Sequence, residues 1–384
     1  MLYLIGIIIT FFLVFILVTK KGKSQADKIL ALWLFFTGLH LILFYVHFTH
    51  KYLEMPHLLG IEIPFPLVHG PFLYLYTASL TNRKLGRKEL LHFAPTAIEY
   101  LFLIPFFGIP SSEKITVYEN SGLGYEVLMT TFYILILASG IIYPFLAFLK
   151  LLKHKRNIIN QFTYTETINL TWLRYLIIGT SIIWLVVILG NDEQIFSTVV
   201  AYIFFIGYFG IKQVGIFTNK IPTVDALVPN KDIEKNSPIS SISDSDNEVP
   251  AEQPSKTKYE KSGLKPEDLE AIHIHLKKLM QQEKLYKNPE LTLAEISQKL
   301  NVHPNILSQV INSVEQKNLY DYVNQQRVDE FKRLVLLPEN QKFTLLSLAY
   351  ECGYNSKTAF NRNFKKETGL SPTAYLKQVD INLL

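Results

Sequence analysis

At 384 residues the chain is long enough for two or three domains. A single cysteine, Cys352, excludes an intrachain disulfide and removes any need for an oxidising compartment. The formal charge of +5 is too small to mark the whole chain as a polyanion binder, and the mean hydropathy of +0.18 averages two unlike halves, so distribution matters more than totals.

Residues 2–18 carry no charge before Lys20, Lys21 and Lys23 end the run. Such a stretch suits a spanning helix of about 17–25 residues. A cleaved leader is the rival reading, but the basic residues follow the run and no small-residue cleavage site is present. Six further apolar runs cover residues 29–48, 61–80, 90–107, 127–152, 173–189 and 195–211. The positive charges test this seven-span division independently. The odd loops hold Lys20, Lys21, Lys23 and Lys28, then Arg83, Lys84, Arg87 and Lys88, then Lys153, Lys155 and Arg156. The even loops hold only Lys51, Lys114 and none. The odd loops are therefore expected in the cytoplasm, with the N-terminus outside.

Polar residues interrupt these runs. His40 and His47 are seven apart and share a helix face. His69 stands among Pro64, Pro66, Gly70 and Pro71, which predicts a kink or an unwound turn. Glu99 lies inside the fourth run. Ionisable groups at membrane depth are costly, so His40, His47, His69 and Glu99 are candidate ligand-binding residues. The bland reading is that they make hydrogen bonds between helices. No single segment has metal-ligand spacing, and no metal is expected.

Residues 220–262 are rich in Ser, Pro, Asp and Lys, a composition that predicts a disordered linker. The first domain is thus set at 1–219, and a second at 263–384. In the second, Pro266-Glu267-Asp268 opens a helix that runs through Leu276 and Met280. Two units of one plan follow. Leu293–Leu300 is a short helix with Thr292 as N-cap; Asn301-Val302 turns the chain; a second helix starts near Pro304 and runs to about Asn312. Leu345–Glu351 repeats the first helix, Gly353 the turn, and Asn355 or Ser356 caps a helix over Lys357–Glu367. A long helix over Tyr320–Leu337 joins the units. Helix, short turn and helix is the unit whose second helix enters the DNA major groove.

The second helix of each unit carries polar side chains suited to bases and phosphates. The first offers Asn305, Ser308, Gln309 and Asn312; the second offers Lys357, Thr358, Asn361, Arg362, Lys365 and Lys366. Ile306, Leu307, Val310, Phe360 and Phe364 are assigned to the core, as is Cys352. One such helix alone would read as a solvated face, but two in tandem do not. From Ser262 on there are 16 basic and 14 acidic residues, so binding should respond to salt without being a blanket attraction to phosphate.

The stretch from Leu345 to Leu376 resembles the signature of AraC/XylS-type transcription regulators. The likeness rests on Gly353-Tyr354, Phe360, Arg362, Phe364-Lys365-Lys366, Gly369, Ser371-Pro372 and Tyr375, and it extends back through Arg327 to about Leu291. The resemblance implies an all-helical bilobed domain whose two recognition helices enter successive major grooves. It implies base-reading roles for Asn305, Ser308, Gln309, Lys357, Thr358, Asn361 and Arg362. Asn301 stands where the family often has Gly, and Glu330-Phe331 replaces a small residue. The stretch from His69 to Tyr76, with Leu91–Pro95, resembles the seven-span domains fused to such regulators in Bacteroidetes-type bacteria.

The expectation is an all-α chain: a multi-span membrane domain in a bacterial inner membrane, with a cytoplasmic double helix-turn-helix domain. Its expected partners are double-stranded DNA, the membrane, a second copy of the chain, RNA polymerase and an unknown small-molecule or membrane signal. A membrane part that only anchors the regulator is the second reading. A transporter or membrane enzyme with a regulatory domain is the third. No inverted repeat, phosphate loop, zinc motif or nucleophile elbow supports that third reading, so neither enzyme activity nor a cofactor is expected.

Overall fold

The computed structural model describes residues 2–81, 85–164, 170–212 and 266–383. The 220–262 linker and the loop charges Arg83 and Lys84 lie outside the described residues. The fold is all-α; among the described residues the only β pairing is an isolated bridge between Phe162 and Thr292. The chain divides into two compact units. One comprises Met1–His154 and Leu170–Thr223, the other Lys155–Asn169 and Val224–Leu384. The segment 155–169, which lies inside the expected membrane domain, thus groups with the second unit.

In the first unit α1 spans Leu2–Thr19 and α2 Gln25–Phe48. The turn between them is closed by charge. Ser24 caps α2 by accepting from the Asp27 amide, and Lys20 Nζ pairs with Asp27 at 2.9 Å, both side chains being buried. Next come α3, Pro66–Leu80, and the short helices α4, Ala94–Phe102, α5, Ile104–Gly108, and α6, Ser111–Glu119. The unit ends with α7, Glu126–Gln161, whose last residues enter the second unit, then α8, Thr171–Leu189, and α9, Asp192–Lys212.

Two expectations change here. The chain is not unwound at His69: Pro64 and Pro66 fall before and at the first turn of α3, where a missing N–H costs nothing, and Pro71 is held inside the helix. The run 90–107 is not one helix: a 3-10 turn over Arg87–Phe93 precedes α4, and α5 follows with Pro105 in its first turn.

Three of these helices, α2, α7 and α8, are long and apolar enough to cross a membrane, and α1 is a shorter apolar helix. Leu13 of α1, Leu30 of α2, Ala147 of α7 and Leu176 of α8 join Leu73 of α3 and Ile203 of α9 in one core. Their outward faces are apolar too: Ile8, Phe12 and Phe15 on α1, Ile141 and Phe145 on α7, and Ile182 and Leu189 on α8 are all exposed. Apolar residues on every side depart from the single apolar stripe of an amphipathic helix. Close approach of α8 and α9 needs Gly179, where a Cβ would stand 2.3 Å from the Tyr202 ring.

In the second unit α10 spans Pro266–Glu283, α11 Leu293–Leu300, α12 Pro304–Val314, α13 Leu319–Val335, α14 Leu345–Glu351, α15 Lys357–Thr368 and α16 Pro372–Leu383. Local chemistry sets the boundaries. Thr292 and Glu295 make a reciprocal capping box on α11, and Asn301 ends it at φ 52. Ser356 caps α15. Gly353, at φ +94, lies against backbone: a Cβ there would meet the Tyr286 oxygen at 2.3 Å.

Two cores result, and α13 serves both. Its residues Leu319, Tyr322 and Val323 join Leu276, Met280, Ile296, Leu307 and Ile311; its residues Val328 and Phe331 join Leu348, Cys352, Phe360 and Phe364. Ile311 is fully inside and Ile306 only half-buried, which fixes the inward face of α12. Burial pushes the Cys352 thiol up to about 12, as befits an inert core residue.

Glu330, buried at 7% exposure on α13, receives two bonds from Arg333, at 2.8 and 3.0 Å, and stands 3.6–3.7 Å from Lys284 and Lys287. The Arg333 hydrogen bonds, helped by these charges, hold its carboxyl at about 2. That lies below an unfolded value of about 4.3, so the contribution is fully present above the unfolded value and fades as acid approaches the folded one. Thermal unfolding followed from about pH 5 down to about pH 2 should show Tm falling less steeply in Glu330→Gln than in the wild type. Parallel curves would show that Glu330 is not linked to folding.

Candidate nucleic-acid interface and a cavity in the first unit

The second helices of the two helix-turn-helix motifs, α12 and α15, each bury one face and expose another. On α15, Ala359, Phe360, Asn363 and Phe364 are buried, while Lys357, Thr358, Asn361, Arg362, Lys365 and Lys366 are exposed. Helical spacing puts the exposed set on one side. Arg362 donates to the Tyr320 hydroxyl at 2.7 Å, and Asn363 donates to the same oxygen at 2.8 Å. The connecting helix thereby orients the arginine. Lys366 pairs with Asp321 at 2.6 Å, while Lys357 and Lys365 have no ion pair among the described residues.

On α12, Asn305 is exposed and Ser308 and Asn312 half-buried, with Asn312 donating to Ser308 Oγ at 3.3 Å. Gln309 is turned inward, at 7% exposure. His303 caps this helix through the Asn305 amide.

Arg327 lies where the two lobes meet, 5.7 Å from the Tyr354 ring of the second. Its guanidinium donates to the Tyr286 oxygen at 2.7 Å and the Asn288 oxygen at 2.8 Å, and it reaches the oxygen and Oγ1 of Thr163 at 3.4 and 3.3 Å. Thr163 is 1% exposed and anchored by its own N–H and Oγ1 to the Leu291 oxygen, at 3.2 and 2.8 Å. Asn324 Nδ2 also approaches the Thr163 oxygen, at 3.4 Å. The segment after α7 is therefore built into the second unit. Sequence reasoning missed it, because a threonine in a polar loop carries no mark of a docking site. Burial lowers the Arg327 guanidinium to about 10, which leaves it charged at neutral pH.

The four candidate ligand residues of the first unit fall in three places. His40 and His69 come together, with His40 Nδ1 3.1 Å from His69 Nε2 and Trp33 Nε1 donating to His69 Nδ1 at 3.2 Å. Both histidines line a cavity of ≈ 170 Å³ walled by α2, α3, α7, α8 and α9. His47 lies against the Tyr118 hydroxyl at 2.8 Å, beside a separate and much smaller cavity. Glu99 is 1% exposed and lines neither cavity, and its carboxyl oxygens have no hydrogen-bond partner among the described residues.

Residues 296–378 match the family model described as a helix-turn-helix domain. The match runs from α11 into α16, within the second unit, and so spans both helix-turn-helix motifs and α13. The C-terminal part of the chain is an AraC-type helix-turn-helix domain, which supports a DNA-binding transcription regulator. No curated protein and no solved structure matches the chain.

The two kinds of exposed group should separate in a binding assay at several salt concentrations. Asn361→Ala should cost about 1–3 kcal/mol on the preferred site and relax the choice of one base pair. Lys365→Ala should weaken all sequences alike and lower the salt slope by about 1.

Proposed function

We propose that the protein is a membrane-embedded, sequence-specific transcription regulator that links a membrane or extracytoplasmic signal to promoter binding. One observation carries the DNA half: two recognition helices, α12 and α15, present polar or basic faces from lobes braced on one helix, α13. Asn305, Ser308, Lys357, Thr358, Asn361, Arg362 and Lys365 form the reading set. Gln309, buried here, would act on the position of α12 and not on a base. The membrane half is supported by three long apolar helices with exposed apolar faces. In water those faces would associate; in lipid they are solvated.

Coupling is assigned to the α7 connection. This helix continues from the first unit into the second, and the segment behind it carries Thr163 to Arg327. A shift of α7 would then act on the junction of the two lobes, and hence on the register of two recognition helices against DNA. The 220–262 linker would set only reach. The rival reading, a membrane part that merely anchors, needs no such contact.

Genome-wide DNA occupancy of the full-length protein in its host tests the first part. Discrete peaks are expected, and they should vanish in a Lys357→Ala, Asn361→Ala double variant, whose altered side chains make no hydrogen bond or ion pair among the described residues. Peaks unchanged by the variant would refute base reading by α15. Coupling is tested by two changes. Removing a few residues from the linker should leave the regulated response intact, whereas Phe162→Ser with Thr163→Val should abolish the response and keep DNA binding. The opposite pattern would place coupling in the linker.

A further inference from the structure

The cavity of the first unit is apolar except at one point. An indole N–H can only donate, so His69 Nδ1 is the acceptor of the Trp33 bond and carries no proton. A neutral His69 then holds its proton on Nε2, the atom that faces His40 Nδ1. His40 Nδ1 must accept, and the His40 proton must sit on Nε2. Nothing among the described residues accepts from that N–H. Thr37 and Thr180 donate to backbone oxygens at 2.9 and 3.0 Å, and the Tyr202 hydroxyl reaches the Leu176 oxygen at 2.7 Å, while the Trp184 indole N–H has no hydrogen bond among the described residues. The relay thus delivers to a largely apolar space an unpaired imidazole donor, the group that the His40 substitution isolates.

We infer that this cavity binds a small, uncharged, apolar molecule bearing one hydrogen-bond acceptor, a carbonyl or ester oxygen, which His40 Nε2–H receives. The size agrees: the volume of ≈ 170 Å³ is a little above the roughly 150 Å³ of an apolar cavity that holds benzene. An anion is excluded, since the wall offers no cation to offset its loss of hydration. A purely hydrocarbon guest would leave the donor unpaired. The inference deepens the reading of the protein as a sensor and rests on that reading for its consequence.

Trp33 and Trp184 line the cavity, and the third tryptophan, Trp172, does not. Bromine quenches indole fluorescence on contact, so two brominated isosteres serve as probes of the full-length protein in detergent. These are para-bromoacetophenone, which has the acceptor, and para-bromo-α-methylstyrene, which has a methylene in its place. Saturable quenching is expected with a midpoint roughly five- to tenfold lower for the ketone, the worth of one hydrogen bond. His40→Phe should erase that preference while leaving the space. Val199→Phe, on another wall, should suppress saturable quenching by both probes. Equal midpoints in the wild type, a preference that survives His40→Phe, or quenching that never saturates would each overturn the proposal. DNA occupancy separates it from the regulator reading. Occupancy peaks without probe binding leave a regulator with no such site, and probe binding without peaks leaves the site but refutes the regulator.

Discussion

Arg327 carries a full positive charge at 2% exposure, where two helical lobes meet, with no carboxylate against it among the described residues. Burying an ion costs several kcal/mol unless its donors are all engaged. Here the acceptors are oxygens of Tyr286, Asn288 and Thr163, which come from two separate stretches of chain. Each charge-assisted bond restores about 1.5–3 kcal/mol. The guanidinium fan has a fixed shape, so these oxygens must hold one arrangement. The seat of the first lobe against α13 follows from that demand, and so does that of the segment after α7.

Around this point the second unit is ordered in layers of decreasing generality. Apolar periodicity builds two small cores on one helix. Caps at Thr292 and Ser356 place the first residue of α11 and α15. The Tyr320 hydroxyl then gathers Arg362 and Asn363, so the connecting helix aims the basic face of α15 as well as supporting it. A recognition surface needs this stiffness, because base readout depends on side chains held within a fraction of an ångström.

The first unit solves a different problem. With apolar residues on all sides, hydrophobicity cannot tell one helix face from another. Small residues, such as Gly179 under Tyr202, and internally paired polar groups make the distinction instead. The histidine relay belongs to this logic. Trp33, His69 and His40 satisfy one another in sequence, and the order of donation is forced by the indole at its head.

Much of the second unit could be read from the chain because its signals are local. The helix boundaries at Leu293, Leu300, Leu345 and Glu351 follow from caps, turn residues and a helical period, all within a few positions of one another. The polar faces of α12 and α15 follow from the same period, except at Gln309. Its inward turn depends on how tightly α12 packs, which neighbours in sequence do not record. The apolar runs of the first unit announce spanning length, but a composition with no polar face cannot say where a run breaks, and 90–107 breaks. Nor can it say that His40 meets His69 while His47 and Glu99 stand apart, because those meetings join helices distant in the chain. The contact of Thr163 with Arg327, 164 positions apart, is of the same kind. The sequence by itself determined the elements and their faces, since these depend on neighbours three or four residues away. Only the tertiary structure decided which faces meet, since a long-range hydrogen bond leaves no periodic trace in the residues that make it.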